Sequence, residues 1–258
     1  MKRKIKIKRL VWPSIFTLLN MFLGFMSISF SFKHGFDNFL IAGWLIFFAS
    51  IFDGLDGKVA RMVHGSSDFG IEIDSLADLI SFVIAPAMLS YNYFFYKFGG
   101  WGLAISFSFV IFGTIRLARF NVNAHRESLD HFVGMPSPLS ALAIISFIMF
   151  NIVNFEILQN IYFPLNVIFP TYYITIGYLM VSDIIFRKVN KFSLKKNSKY
   201  QKDTIFTILL LLILIVYQEK IMFPAIFVLI LMNIIYYWRK NYLSKKEDEI
   251  EIDIDENE

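Results

Sequence analysis

The sequence contains no cysteine. The chain therefore forms no disulfide, holds no metal through thiolates and has no cysteine nucleophile. Any metal that the protein binds must be held by oxygen atoms or by histidine. The absence of cysteine does not by itself fix the redox compartment.

Long stretches of the chain also lack charged residues. The sequence is 56% hydrophobic, has 30 phenylalanines and has a mean hydropathy of +0.56, which exceeds what a soluble domain of this length carries. A helix that crosses about 30 Å of hydrocarbon needs roughly 20 residues. Apolar blocks of about this length lie at residues 14–32, 39–61, 70–96, 101–122, 138–155, 165–186, 204–218 and 221–238. They predict a polytopic membrane protein.

The first block and the last two can each be read in two ways. The first runs on without a small-residue cleavage site, so we expect a membrane span and not a cleaved signal peptide. The last two are separated only by Gln218, Glu219 and Lys220. We expect a tight helical hairpin there, and a single broken segment is the alternative.

Lysine and arginine are distributed unevenly around the expected spans. With the N terminus in the cytoplasm, all of the 25 lysines and arginines except Lys33, Lys97 and Lys220 lie at or beside the inner membrane face. This distribution follows the positive-inside rule. We therefore expect a cytoplasmic N terminus.

Four carboxylates lie where the second and third spans approach the cytoplasm. Asp53 and Asp56 are three positions apart, and Asp74 and Asp78 are four apart, so each pair shares a helical face. Antiparallel packing of the two helices would bring the four together. Each carboxylate at the centre of a membrane helix costs about 2.5–3.5 kcal/mol, so the cluster requires a cation or a water-filled cavity. Its hard oxygen ligands favour Mg²⁺ or Mn²⁺ over zinc.

Small residues continue the face that Asp53 begins. Gly57 and Ala60 follow it by four and seven positions and allow a ligand or a helix to approach the backbone. Arg61 is one turn beyond Gly57, where it would reach a phosphate. Asp-Gly pairs also occur in ordinary turns, but a turn does not explain Asp74 and Asp78 within an apolar run.

The segment from residue 53 to residue 78 resembles the signature of the CDP-alcohol phosphatidyltransferases, DxxDGxxARx8GxxxDxxxD. The matching positions are Asp53, Asp56, Gly57, Ala60, Arg61, Gly70, Asp74 and Asp78. The resemblance implies a six-helix core, a site that faces the cytoplasm, a pair of divalent metal ions and a CDP-linked lipid donor. It also implies Asp53, Asp56 and Asp74 as metal ligands, Asp78 as both ligand and general base, and Gly57, Ala60 and Gly70 as the lining of the cytidine-diphosphate pocket.

Further segments resemble the phosphatidylserine synthases within this family. They are PSIFTLLNMFLGF near the N terminus, DSLADLISFVIAPA at 74–87, RLARFNV at 116–122 and FVGMPSP at 132–138. This likeness covers about residues 10–185. Val83 departs from it, because the SFG segment of the family has glycine at this position.

Three polar residues end the fourth span. Arg116 and Arg119 share a face, and Asn121 lies beside them. We interpret the three as ligands of the donor diphosphate or of the serine carboxylate. The alternative is that the arginines only anchor the helix at the interface. Pro136 and Pro138 are predicted to begin the fifth helix, with Ser137 as its cap.

The expected fold class is all-α: a polytopic helical bundle with a six-helix catalytic core and two additional C-terminal transmembrane helices. The expected parts are the catalytic core at 1–186, a basic cytoplasmic loop at 187–203, the two further helices at 204–240, and an acidic, disordered cytoplasmic tail at 241–258. The family likeness also implies a homodimer.

The predicted activity is transfer of the phosphatidyl group of CDP-diacylglycerol to the hydroxyl of L-serine. The reaction would use two Mg²⁺ or Mn²⁺ ions and an aspartate base, within membrane lipid and without nucleic acid. The nearer alternative has glycerol 3-phosphate or inositol phosphate as the acceptor. The distant alternative is a cation transporter, which would need carboxylates along several spans, and the spans beyond the third have almost none.

Overall fold

The computed structural model describes residues 2–62, 68–124, 131–160, 164–187 and 220–239. Its α-helices are α1 Lys2–Ser31, α2 Phe36–Met62, α3 Asp68–Asp78, α4 Ala85–Tyr93, α5 Gly99–Ala124, α6 Ser137–Val153, α7 Phe155–Asn160, α8 Leu165–Val181 and α9 Lys220–Arg239. A π-helical turn, Leu79–Ile84, joins α3 to α4, and a 3₁₀ turn, Phe95–Phe98, precedes α5. Two short strands are β1 His131–Val133 and β2 Ile185–Arg187.

Apolar helices make up most of the described chain. Four segments are long enough to cross a membrane: Phe36–Asp56, Phe69–Tyr93, Phe95–Val122 and Lys220–Arg239. Three shorter apolar helices are Ile15–Ser31, Ser137–Val153 and Leu165–Val181. The predicted all-α, polytopic membrane fold is confirmed.

The first helices form one side of the bundle. α1 packs against α2 and against the continuous rod made by α3, the π-helical turn and α4. The chain reverses between α1 and α2 within a few residues, where His34 and Gly35 have φ angles of 51° and 93°. Positive φ angles of this kind allow a tight reversal, and Gly35 adopts its angle without steric cost because it has no side chain. α2 also packs on α6, and α5 packs on α8.

Aromatic rings fill the end of the bundle where α4 ends and α8 begins, which we call the aromatic end. Phe169 of α8 stacks on Phe95 and on Phe147, with ring centroids 4.9 and 5.0 Å apart. Tyr173 is fully buried beside them, and its hydroxyl donates to the carbonyl of Ser106 at 3.0 Å. The burial of these rings and their preferred contact geometry hold the helices together at this end.

The helix α9 coincides with the predicted span at 221–238. Met222 and Ile226 are buried, and the ring of Phe223 lies 5.1 Å from that of Phe147 and 5.8 Å from that of Tyr172. α9 therefore packs on α6 and α8. The predicted span at 204–218, most of the basic loop and the acidic tail lie outside the described residues.

The sixth predicted span ends earlier than the residue 186 expected from hydropathy. α8 ends at Val181, and β2 then pairs antiparallel with β1, so that Phe132 lies opposite Phe186. Arg187, the expected first residue of the basic loop, closes β2. Hydropathy does not separate a short buried strand from the end of an apolar helix, which explains the difference.

The third span contains a π-helical turn that its apolar pattern does not predict. The turn begins directly after Asp78 and includes the buried residues Ser81, Phe82 and Val83. Val83 packs against Gly113 of α5, where an added Cβ atom would lie 2.6 Å from both Val83 methyl carbons. Gly113 thus accommodates the larger side chain at the position where the family has glycine.

Candidate active site

Three aspartates from two helices converge at the end of the bundle opposite the aromatic end, which we call the aspartate end. One carboxylate oxygen from each of Asp53, Asp74 and Asp78 lies within 4.8 Å of the others. Asp53 lies near the C terminus of α2, while Asp74 and Asp78 lie on the last turns of α3. The packing of both helices against α1 creates this convergence.

Asp56 lies one turn beyond Asp53 and is 6% exposed. Thr17 of α1 donates a hydrogen bond to its Oδ2 atom. Its Oδ1 atom is buried and has no hydrogen-bond partner among the residues that the structure describes. Because a buried carboxylate oxygen without a partner is costly, this atom is suited to a cation or to a donor from a substrate.

A second residue of α1 contacts the cluster. Asn20 is fully buried, and its Nδ2 atom donates to Oδ1 of Asp78 at 3.4 Å. Thr17 and Asn20 lie three positions apart and therefore share one face of α1. Neither residue was predicted to belong to the site, although two polar side chains at helical spacing in an apolar span are a recognisable signal.

Arg116 of α5 supplies positive charge beside the carboxylates. It is only 7% exposed and interacts electrostatically with Asp78 and Asp53. Its guanidinium donates to the hydroxyl of Ser137 at 2.7 Å. The predicted cap role of Ser137 is wrong: Pro136 is the N-cap of α6 and has no side-chain acceptor, while Ser137 is the first residue of the helix.

Arg119 makes its contacts with the end of α8. Its guanidinium donates to the main-chain carbonyls of Met180, Val181 and Ser182 at 3.2–3.4 Å and forms an exposed ion pair with Asp183 at 3.7 Å. These carbonyls have no partner within the helix, so Arg119 completes its C terminus. These contacts link α5 to the end of α8.

Asn121 connects α5 to the acidic helix α3. Its Oδ1 atom accepts a hydrogen bond from Ser75 at 2.9 Å. Ser75 directly follows Asp74, so Asn121 supports the helix that carries two of the aspartates.

The small residues of the signature lie on the same two helices. Gly57, Ala60 and Arg61 belong to the last turns of α2, and Gly70 lies one turn before Asp74 on α3. The side chains of Ala60 and Arg61 lie outside the part of the chain that the structure describes.

The residues present fit a divalent cation. The carboxylates of Asp53, Asp74 and Asp78 beside one buried arginine leave the pocket with an excess of negative charge. Asp56 lies one turn beyond Asp53 and is outside the group of three whose oxygens lie within 4.8 Å of one another. Hard oxygen donors of this kind suit Mg²⁺ or Mn²⁺. Asp53, Asp56, Asp74 and Asp78 would hold the metal.

Comparison with known proteins places this site in a family. A family model described as CDP-alcohol phosphatidyltransferase matches residues 10–172. A CDP-diacylglycerol–serine O-phosphatidyltransferase of Helicobacter pylori is 40% identical over 185 residues, which cover 70% of this chain and 73% of that protein. Proteins of the same name from Methanocaldococcus jannaschii and Bacillus subtilis are 35% and 32% identical, over 67% and 69% of this chain and 71% and 91% of theirs.

The chain belongs to the CDP-alcohol phosphatidyltransferase family. The predicted resemblance is thus confirmed, as is the prediction of a membrane enzyme of phospholipid biosynthesis that is most similar to the serine-named members. The alternative of a cation transporter is set aside, because the matched family is one of transferases.

Proposed function

We propose that this enzyme transfers the phosphatidyl group of CDP-diacylglycerol to the hydroxyl of L-serine, giving phosphatidylserine and CMP. The observation that carries the proposal is the convergence of Asp53, Asp74 and Asp78 within 4.8 Å in a chain of this family. The choice of serine rests on the relatives, whose name specifies that acceptor. The similarity to these relatives covers most of their length.

In the proposed reaction the serine hydroxyl attacks the phosphorus that carries diacylglycerol. A serine O–P bond forms, the P–O bond to CMP breaks, and Asp78 accepts the hydroxyl proton as general base. A hydroxyl is a weak nucleophile near neutral pH, so removal of its proton by Asp78 would assist the attack. Two bound Mg²⁺ or Mn²⁺ ions would neutralise negative charge on the diphosphate and on the departing CMP.

Other residues of the aspartate end have proposed roles in binding. Asp53, Asp56, Asp74 and Asp78 are the proposed metal ligands. Gly57, Ala60, Arg61 and Gly70 are proposed to bind the CDP-linked lipid. Of the residues proposed to bind the diphosphate or serine, Arg116 is supported best, because it is buried beside Asp78 and Asp53. Arg119 and Asn121 are proposed to act through the helices that they hold.

The proposal extends to the organisation of the chain. Residues 1–186 form the proposed catalytic core, and the aspartate end faces the cytoplasm together with the N terminus, as the distribution of lysine and arginine favours. The loop at 187–203, the helices within 204–240 and the tail at 241–258 are proposed as additions to this core. A homodimer is proposed on the family likeness alone.

The test is CMP release by the purified full chain in detergent with CDP-diacylglycerol and Mn²⁺. L-serine, glycerol 3-phosphate and inositol phosphate are compared as acceptors, with chelator in a parallel sample. We expect release that requires serine and is lost with chelator. Release with another acceptor would retain the chemistry and refute serine, whereas release that persists after metal removal would refute the role proposed for the carboxylates.

A further inference from the structure

Two side chains of α1 donate hydrogen bonds to carboxylates at the aspartate end. Thr17 donates to Asp56 of α2, and Asn20 donates to Asp78 of α3. We propose that Thr17 and Asn20 are positioning residues that determine which oxygen of Asp56 and which oxygen of Asp78 is presented to the ligands of the active site. This inference rests on the proposed function, since it assigns roles around the same carboxylates. It adds α1 to a site otherwise built from α2, α3 and α5.

Thr17 distinguishes the two oxygens of Asp56. Its hydroxyl donates to Oδ2, whereas the buried Oδ1 has no hydrogen-bond partner within the described part of the chain. Thr17 is itself only 3% exposed, so water does not compete for this contact. The hydrogen bond therefore fixes the rotation of the carboxylate and leaves Oδ1 as the atom for a cation. Hydrogen bonds to ligating carboxylates orient metal sites in this way.

Asn20 acts on Asp78 in the same way. Its Nδ2 atom donates to Oδ1 of Asp78, which leaves Oδ2 of that carboxylate for the hydroxyl of the acceptor. The reverse amide orientation would set two oxygen acceptors against each other. Among the described residues, the Oδ1 atom of Asn20 is buried without a hydrogen-bond partner, so the observed orientation of the amide costs free energy.

The main chain of α1 is fixed where these donors lie. The carbonyl of Asn20 accepts a hydrogen bond from Ser81 of the π-helical turn at 2.8 Å. Gly24, one turn further along α1, permits the close approach, since an added Cβ atom would lie 2.7 Å from Cα of Ser81. α1 is thereby held against the helical rod that carries Asp78, and the position of Asn20 relative to that carboxylate is defined.

The first experiment compares Thr17→Val with Thr17→Ser. Valine retains the shape of threonine but removes the hydroxyl, whereas serine retains the hydroxyl. We expect Thr17→Val to weaken Mn²⁺ binding about tenfold or more, as loss of an outer-shell partner does, with Thr17→Ser remaining close to the wild type. Mn²⁺ binding is measured without substrates by electron paramagnetic resonance of the free ion, alongside the Mn²⁺ dependence of CMP release. Equal binding by all three proteins would overturn the role of Thr17.

The second experiment compares Asn20→Leu with Asn151→Leu. Asn151 is also buried, but its amide donates only to the carbonyl of Phe147 in its own helix, so it controls for the loss of a buried asparagine. We expect Asn20→Leu to lower kcat roughly ten- to hundredfold while KM for CDP-diacylglycerol stays nearly constant. An equal fall of kcat in both variants would overturn the role of Asn20.

Failure of this inference can be told apart from failure of the proposed function. If the wild type releases CMP only with another acceptor, the choice of serine fails, while the Mn²⁺ binding of the Thr17 variants still tests the positioning. If Thr17→Val does not fold, Thr17→Ala supplies the same loss of the hydroxyl in a smaller side chain. Unchanged Mn²⁺ binding by folded Thr17→Ala contradicts the inference in the same way.

Discussion

The two ends of the helical bundle are held together by different kinds of contact. At the aromatic end, Phe95, Phe147 and Phe169 stack with centroid distances of about 5 Å and make no polar contact through their side chains. At the aspartate end, neighbouring helices are joined by polar side chains, such as Thr17 to Asp56 and Asn20 to Asp78. The first end stabilises the fold, and the second positions chemical groups at the cost of burying charge.

This difference shows how a membrane helix can serve both purposes. The rod from α3 to α4 has Asp74 and Asp78 at one end and the buried side chain of Leu89 near the other. Substitutions at the two ends should therefore separate activity from stability. The experiments below test that separation, beginning with the largest expected effect.

Asp78→Asn should nearly abolish turnover. The variant keeps the shape of the side chain but removes the proposed base, which contributes about 10²–10⁴-fold in comparable reactions. CMP release is measured with saturating L-serine and Mn²⁺. Asp37→Asn is the matched control, because Asp37 is exposed in the first turn of α2, at the other end of the bundle. Comparable losses in the two variants would contradict the assignment of chemistry to the aspartate end.

Phe169→Ala should lower the free energy of unfolding by about 3–5 kcal/mol, the usual cost of a buried phenylalanine. The kcat should be unchanged at temperatures where the protein remains folded. Unfolding is followed by loss of helical circular dichroism in detergent. Phe155→Ala serves as the control, since Phe155 is 41% exposed and should cost far less. A large loss of kcat in folded Phe169→Ala would show that the two ends are coupled.

Arg116→Lys and Arg119→Lys should separate two roles within the aspartate end. Arg116→Lys should lower kcat/KM for CDP-diacylglycerol about tenfold, because lysine lacks the planar guanidinium that donates to Ser137 beside the aspartates. Arg119→Lys should chiefly destabilise the protein, by about 1–2 kcal/mol, through lost contacts with the carbonyls that end α8. The opposite pattern would assign Arg119, and not Arg116, to the substrate.

The sequence predicts the features that depend on regular spacing. The alternation of apolar blocks and charge indicates the helices, and the three- and four-residue intervals among Asp53, Asp56, Asp74 and Asp78 place each pair on one face. The convergence of Asp53, Asp74 and Asp78 agrees with the antiparallel packing expected from those intervals. The periodicity of an α-helix is local, so it can be read from a single sequence.

Contacts between distant parts of the chain could not be predicted in the same way. Asn20 meets Asp78 across 58 positions, and Arg119 meets the end of α8 across more than 60. Spacing within one helix does not specify which neighbouring helix a polar side chain will face. The antiparallel pairing of β1 with β2 is also a contact between distant parts of the chain. In addition, each strand has only three residues, which is too short to show a strand pattern.

The π-helical turn after Asp78 has a consequence for how this protein can change over evolution. A π-helical turn contains one residue more than the α-helical turn that it replaces, and each residue of an α-helix corresponds to a rotation of about 100°. Deleting one residue within Leu79–Ile84 would therefore return this turn to α-helical geometry and leave Asp74 and Asp78 on the face toward Asp53. Deleting one residue within α4, which has no extra residue, would instead rotate the acidic segment by about 100° relative to the helix that follows. The π-helical turn is therefore the place in the rod where the loss of one residue should be tolerated best.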